Sequence, residues 1–226
     1  MEDIKSWESK FQPCEYSDKL LNLITELNKT VRIPVDVLEI KKACYYAREY
    51  HGSQLRKSGA PYYSHPLEVA YLFAKYVAEN AQQHYTTDLI IIAILHDTIE
   101  DTKLTYEIIS IIFNKIIAEG VQDLSRIIIG DSKTTAGDTL LSLYPQNKHD
   151  LLYVKIFDRL HNTRTLGAKS LDKRWKTIRE NTVFFISLTK KLNMREIADE
   201  LERLAHPTIP LDKVAFKEYR LPNLFA

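Results

Sequence analysis

Apolar residues recur along this chain at spacings of three and four, the period of one buried helix face. Leu20, Leu21, Ile24 and Leu27 set the first such stripe, after an N-terminal stretch, residues 1–18, that reads as polar and loosely docked. Pro34 interrupts it, and Asp36 is placed to cap a helix running to about Tyr50. Val37, Leu38, Lys41, Cys44, Tyr45 and Arg48 lie along that helix, with Gly52 near its end. His65-Pro66 opens the next helix, with proline expected at the first helical position and Glu68 two further on. Its buried side reads Leu67, Ala70, Leu72, Phe73, Ala74 and Val77. Residues 88–101, DLIIIAILHDTIED, depart from this pattern. Leu89 to Leu95 is apolar all round, as in a fully buried helix, and the run stops abruptly at His96-Asp97.

Beyond it, Thr105 can cap a helix through Phe113, with Asn114 as a left-handed terminator and a further helix from Lys115 toward Ile129. Thr134 to Tyr144 reads as helical, ended by a turn at Pro145-Gln146-Asn147. Over residues 150–166, Leu152, Ile156 and Leu160 mark an apolar side broadened by Tyr153, Val154 and Phe157. Lys155, Asp158, Asn162 and Thr165, spaced by three, four and three, form a polar stripe on the same helix. Asp172 is expected to cap a helix to about Leu192, and Asn193 with Glu196 resembles a capping box for a last helix, Met194 to Ala205. The Ile-rich runs are β-branched enough for short buried strands, but their lengths and flanks favour helix. The expectation is an all-α fold with one main domain, residues 36–205. A polar segment and packed helix (1–35) precede it, and an extended tail with three prolines (206–226) follows.

Composition bounds the function classes. Of 226 residues, 45% are hydrophobic, enough for a real core. Basic and acidic residues balance, 31 against 30, so nothing draws the chain globally toward nucleic acid or an anionic membrane. No basic run with interleaved aromatics occurs, and the apolar runs are too short to span a bilayer. Cys14 and Cys44 lack the spacing of a disulfide framework, and MEDIKSWESK lacks the apolar core of a signal peptide. A reducing cytoplasm is the default compartment, with signal-less secretion left open.

The chemistry concentrates at the end of the apolar run. If the helix continues, His96 lies beneath Glu100 and Asp97 beneath Asp101. One imidazole and three carboxylates repel one another and are costly to bury without a cation among them. Histidine with carboxylate suits Mn, Fe or Zn. A capped helix end with solvated acids is the alternative. The most loop-like stretch, HGSQLRKSGAPYYSHP (51–66), carries the basic pair Arg56-Lys57 and ends on His65 at a helix entrance. In isolation Arg56-Lys57 reads as a solvated pair, Asn162 as a polar helix residue, and Lys155 and Arg159 as surface charge. His51, His84, His149 and His206 read as surface or packing histidines.

Taken in order, His65, His96-Asp97 and Asp158 resemble the H…HD…D metal set of the HD-domain phosphohydrolases. The flanks sharpen the resemblance. HGSQLRKSGAPYYSHPLEVA, ILHDTIEDT and VKIFDRLHNTRTL are similar to three consecutive signatures of the hydrolase domain in RelA/SpoT-type proteins and in the single-domain small alarmone hydrolases, over about residues 36–205. The resemblance implies a bundle of about ten helices that removes the 3′-pyrophosphate of ppGpp and pppGpp, giving GDP or GTP and pyrophosphate. It implies Mn2+, ahead of Fe2+ or Zn2+, on His65, His96, Asp97 and Asp158, with Glu100 and Asp101 handling water activation and proton transfer. Arg56, Lys57 and Ser58 would line the guanine pocket, and Asn162 and Thr165 would hold the ribose and neighbouring phosphate oxygens. Lys155, Arg159 and Arg164 are further cations for a polyanionic substrate. The family's GVTKL segment corresponds here to QDLSRI, Gln122 to Ile127, where Ser125-Arg126 would substitute. Nothing after residue 205 resembles a synthetase domain, so alarmone synthesis is not expected. Two other readings stand beside this one: a related phosphohydrolase acting on NADPH or another purine nucleotide, and a nucleotide-sensing module without turnover. The expected partner is a guanosine polyphosphate, with no nucleic acid and no membrane. The oligomeric state is left open.

Overall fold

The computed structural model describes residues 6–126, 128–129, 132–168 and 170–205, so the expected C-terminal tail lies outside the described residues. Among the described residues the fold is all-α apart from one short antiparallel ribbon, β1 (Ile128–Ile129) against β2 (Ser132–Lys133). Backbone contacts divide the chain into two compact units, residues 1–127 and 128–226. Among the described residues no helix is long and apolar enough to cross a membrane.

The first unit holds α1 (Trp7–Lys10), α2 (Glu15–Leu27), α3 (Val37–His51), α4 (Ser64–Asn80), α5 (Thr87–Leu95), α6 (Thr98–Asp101), α7 (Tyr106–Ile112) and α8 (Lys115–Leu124). α5 is its axis. It packs against α3, α4 and α8, and every residue from Leu89 to Leu95 is buried, which explains a sequence apolar on all sides. Its first turn is capped by Thr86, whose hydroxyl accepts from the Leu89 amide, and Asp36 caps α3 through the amides of Leu38 and Glu39 at 2.8 and 3.1 Å. Each such cap stabilises its helix by about 1 kcal/mol by satisfying amides that lack an intrahelical partner.

Four expectations are corrected in this unit. Trp7 is buried and meets the Tyr45 ring at 6.3 Å between centroids, so the segment before α2 is docked. α4 begins at Ser64, which makes Pro66 its third residue; a first-turn proline still removes no intrahelical hydrogen bond. Asn114 is extended (φ −165°) and accepts from the Ile117 amide at 2.8 Å, so it starts α8 and does not terminate α7 in a left-handed turn. α8 stops at Leu124, and the ribbon replaces the helix expected to reach residue 129.

The second unit holds α9 (Ala136–Leu143), α10 (His149–Arg164), α11 (Leu171–Glu180), a π-helical turn (Asn181–Phe185), α12 (Ile186–Lys191) and α13 (Arg195–Ala205). α10 packs on α9 and α13. The single helix expected from Asp172 to Leu192 is interrupted by the π turn, and Ser170, not Asp172, holds its cap position. Asn181 in that turn is fully buried and donates from Nδ2 to Thr163 Oγ1 at 2.9 Å. Asn193 is left-handed (φ 58°), and the bonds Met194 N to Thr189 O and Asn193 N to Lys190 O form a Schellman close of α12. It ends one helix where a capping box for the next was expected.

Candidate metal centre

α5 ends because two side chains take carbonyls of its last turn. His96 Nδ1 lies 2.8 Å from Ala93 O, and Thr98 Oγ1 donates to Leu95 O at 2.6 Å. The helix therefore breaks at His96-Asp97 and resumes as the single turn α6. The break is shallow. Asp101 N still donates to Asp97 O at 2.9 Å, so the expected alignment of Asp97 with Asp101 survives although the helix is not continuous.

His65, from the first turn of α4, and His96, from the end of α5, are both buried and direct Nε2 at the same carboxylate. His65 Nε2 is 3.4 Å from Asp97 Oδ2, and His96 Nε2 is 3.2 Å from Asp97 Oδ1. The two imidazole rings meet edge to face at 5.3 Å. The Ala93 carbonyl puts the His96 proton on Nδ1, so Nε2 of the neutral ring turns a lone pair toward Asp97. Two acceptors then face each other, which a second ring proton or a metal ion between them resolves. The spacing fits an ion: ligands at ~2.1 Å from one metal stand roughly 3.0 Å apart at a right angle and roughly 3.4 Å apart at a tetrahedral angle. The donor set, imidazole with carboxylate, is that of a first-row dication.

Around these residues lies a layer that sequence reasoning did not assign. Tyr62 Oη donates to Asp101 Oδ2 at 2.7 Å and lies 3.2 Å from Asp97 Oδ2, joining two carboxylates four residues apart. Burial, reinforced by the negative charges of Asp97 and Asp101, raises the phenol's pKa, so it stays a donor. His51, expected to be a surface or packing histidine, is buried and stacks on the Tyr62 ring at 4.7 Å. Its Nδ1 pairs with Gln54 Oε1 at 3.0 Å, and burial holds the imidazole below its ordinary pKa. Gln54 Nε2 in turn donates to the Asp101 carbonyl at 2.8 Å. The one signal in the sequence was position, since His51, Gln54 and Tyr62 all fall within the loop-like stretch singled out for other residues.

Of the expected guanine-pocket residues, Arg56 is half-buried, and Lys57 and Ser58 are exposed. They lie on a tight turn closed by Gly59 N to Arg56 O at 2.9 Å, with Gly59 at φ 86°, where a side chain would be strained. The Arg56 guanidinium lies 5.9 Å from the Tyr62 ring centre. Glu100 is held by Arg126: the main-chain amide and Nε of Arg126 each donate to Oε2 at 3.1 Å, and Nη2 makes a close contact with Oε1.

In the second unit, Asp158 is buried on α10. Asn162 Nδ2 donates to its Oδ1 at 2.5 Å, and Lys155 Nζ lies 3.4 Å from its Oδ2. Thr165 closes the helix, its hydroxyl donating to His161 O at 3.1 Å. Lys155 and Arg159 are not surface charges. Both are buried, and Arg159 pairs with Glu180 at 2.5 Å and lies over the Phe185 ring at 4.4 Å. Arg164, the third cation considered for substrate, is bidentate with Glu200 at 2.8 Å. Within the α10 stripe, Lys155 and Asp158 are thus buried beside each other, while Asn162 and Thr165 are half-buried.

An all-α fold carrying a histidine–aspartate corner defines a class, and residues 43–139 of this chain fit the family described as HD domain. Its relatives are of the RelA/SpoT type. It is 38% identical over 186 residues to the GTP pyrophosphokinase rsh of Brucella ovis, covering 79% of this chain and 24% of that protein. It is 33% identical over 190 residues to the bifunctional (p)ppGpp synthase/hydrolase SpoT of Escherichia coli K12, covering 80% of this chain and 26% of that one. The chain thus spans about a quarter of the length of these curated relatives. A solved structure described as "A metazoan ortholog of SpoT hydrolyzes ppGpp and plays a role in starvation responses" is similar in fold, with a TM-score of 0.52 and 17% identity over 81% of this chain and 97% of that one. An HD domain implies a divalent metal.

Proposed function

We propose that this chain hydrolyses the 3′-pyrophosphate of ppGpp and pppGpp, giving GDP or GTP and pyrophosphate, with Mn2+ on His65, His96, Asp97 and Asp158. The observation that carries the reading is the His65–His96–Asp97 corner, where two Nε2 atoms stand 3.4 and 3.2 Å from one carboxylate. Relatives named for (p)ppGpp hydrolysis support the substrate. When bound, the metal neutralises charge on the attacked phosphorus and acidifies its water.

The remaining work falls to side chains. Glu100 and Asp101 orient the attacking water and take its proton. Tyr62 holds Asp101 in place through its hydroxyl, while Gln54 anchors the main chain of the same residue. Arg56 and Lys57 meet the substrate's charge, Arg56 offering a flat face to the guanine. Ser58 completes that pocket. Asn162 and Thr165 hold the ribose and neighbouring phosphate oxygens, with Asn162 already fixed by its bond to Asp158.

The test is pyrophosphate release from ppGpp by the purified chain with Mn2+, with NADPH run beside it. Stoichiometric GDP and pyrophosphate are expected. Turnover of NADPH alone moves the substrate assignment, and no product while a RelA/SpoT-type hydrolase works alongside sinks it.

A further inference from the structure

We infer that Arg126 is the positioning residue for Glu100, and that this chain aims its proposed water-handling carboxylate with an arginine fork. The inference rests on the proposed function, because Glu100 matters to the rate only if the chain is a hydrolase.

Glu100 sits on α6, a helix of four residues, which by itself fixes a side chain poorly. Its side chain is only 5% exposed, against 42% for Arg126. A carboxylate so enclosed needs a positive partner and hydrogen bonds to stay ionised. Arg126 supplies three donors from one residue: the main-chain amide and Nε to Oε2, and Nη2 to Oε1. Two guanidinium nitrogens on two oxygens fix the plane of the carboxylate, and the amide fixes its distance from the backbone. That backbone is firmly held. Arg126 lies two residues beyond α8, which packs on both α5 and α6, and Ser125 closes the helix end through Oγ to Val121 O at 2.9 Å. The carboxylate is therefore referenced to α5, the element that ends on His96.

The residue type matters. Lysine is a point charge on a flexible stem and cannot make the two-nitrogen contact. An orienting role depends on the fork, whereas a merely electrostatic role does not.

The experiment compares kcat and KM on ppGpp for the wild type, R126A, R126K, E100Q and R126A/E100Q, with Mn2+ content and melting temperature measured on each. R126A is expected to lower kcat by about tenfold to a hundredfold with KM within about twofold, since the lost interaction serves only the transition state. R126K, which keeps the charge, should recover less than half of that loss on a logarithmic scale. Millimolar guanidinium should restore part of the R126A rate, and methylammonium should not. In the E100Q background R126A should change nothing further, and Mn2+ content should stay constant throughout. If R126A fails to fold, the R126K and E100Q pair carries the same cycle. Effects that multiply in the double variant, or a loss confined to KM, overturn the inference and leave the proposed function standing. A wild type inert toward ppGpp overturns the proposed function, and this inference with it.

Discussion

Asp97 and Asp158 are both enclosed aspartates, with side chains 15% and 12% exposed, yet their surroundings differ in charge. Asp158 has a donor for each oxygen from its own helix, Asn162 at Oδ1 and the Lys155 ammonium at Oδ2. Asp97 faces two imidazole nitrogens, and the hydroxyl near it is donated at shorter range to a further carboxylate, Asp101. One aspartate carries its cation within its unit. The other faces two imidazoles and a neighbouring carboxylate, a set that added positive charge stabilises, whether as protons on the rings or as a metal. Burial of an acid is thus no guide by itself to a metal site; what its oxygens face has to be read beside it.

The sharpest way to break this contrast is D97A. It should lose bound divalent metal and lower ppGpp turnover by about a thousandfold or more, measured by metal content and pyrophosphate release. D158A is proposed to do the same. If D158A keeps full metal, Asp158 belongs to the Lys155–Asn162 network alone and the four-ligand set shrinks to three. E100A should keep its metal and lose about a hundredfold in turnover, separating metal holding from proton handling. Y62F leaves the ring stacked on His51 and removes only the hydroxyl that joins Asp101 to Asp97. A several-fold drop in kcat is expected, with stability lower by about 1 kcal/mol in a urea melt.

In the second unit, G137A tests packing without touching charge. A Cβ there would stand 2.6 Å from Phe184 Cε2, so about 1–2 kcal/mol of stability should be lost, softened by the freedom of the phenyl ring to swing. The smallest effect concerns His51. Its pKa is held below the ordinary 6.5, chiefly by burial. The unfolded chain therefore takes up that proton first, so stability is full above about 6.5 and falls as pH drops through the window beneath it. H51Q should flatten that limb of the urea-midpoint profile. An unchanged limb would place the sensitivity elsewhere.

The helical course of the chain was legible because its signals are local. The caps at Asp36 and Thr105 act across two or three residues, and an apolar stripe repeats within one or two turns. Asn114 and Asn193 show where that reading fails. Asparagine suits both a helix start and a left-handed stop, and only the neighbouring chain chooses between them. Placing Lys155 and Arg159 at the surface failed for a related reason. Charge predicts exposure only where no partner awaits it, and Glu180 lies 21 residues from Arg159.

What the sequence determined by itself is the fold class, the buried apolar run of α5, its stop at His96-Asp97 and the order of the histidine and aspartate motifs, all encoded in spacing along the chain. Only the tertiary structure decided that Tyr62 joins Asp101 to Asp97, that His51 lies beneath Tyr62, and that Arg126 grips Glu100. Tyr62 and Asp101 are 39 residues apart, and Arg126 and Glu100 are 26 apart. No period connects such pairs, and tyrosine, arginine and histidine are common in any chain. They meet because the packing of α3, α4 and α8 around an apolar helix brings the segments that carry them together.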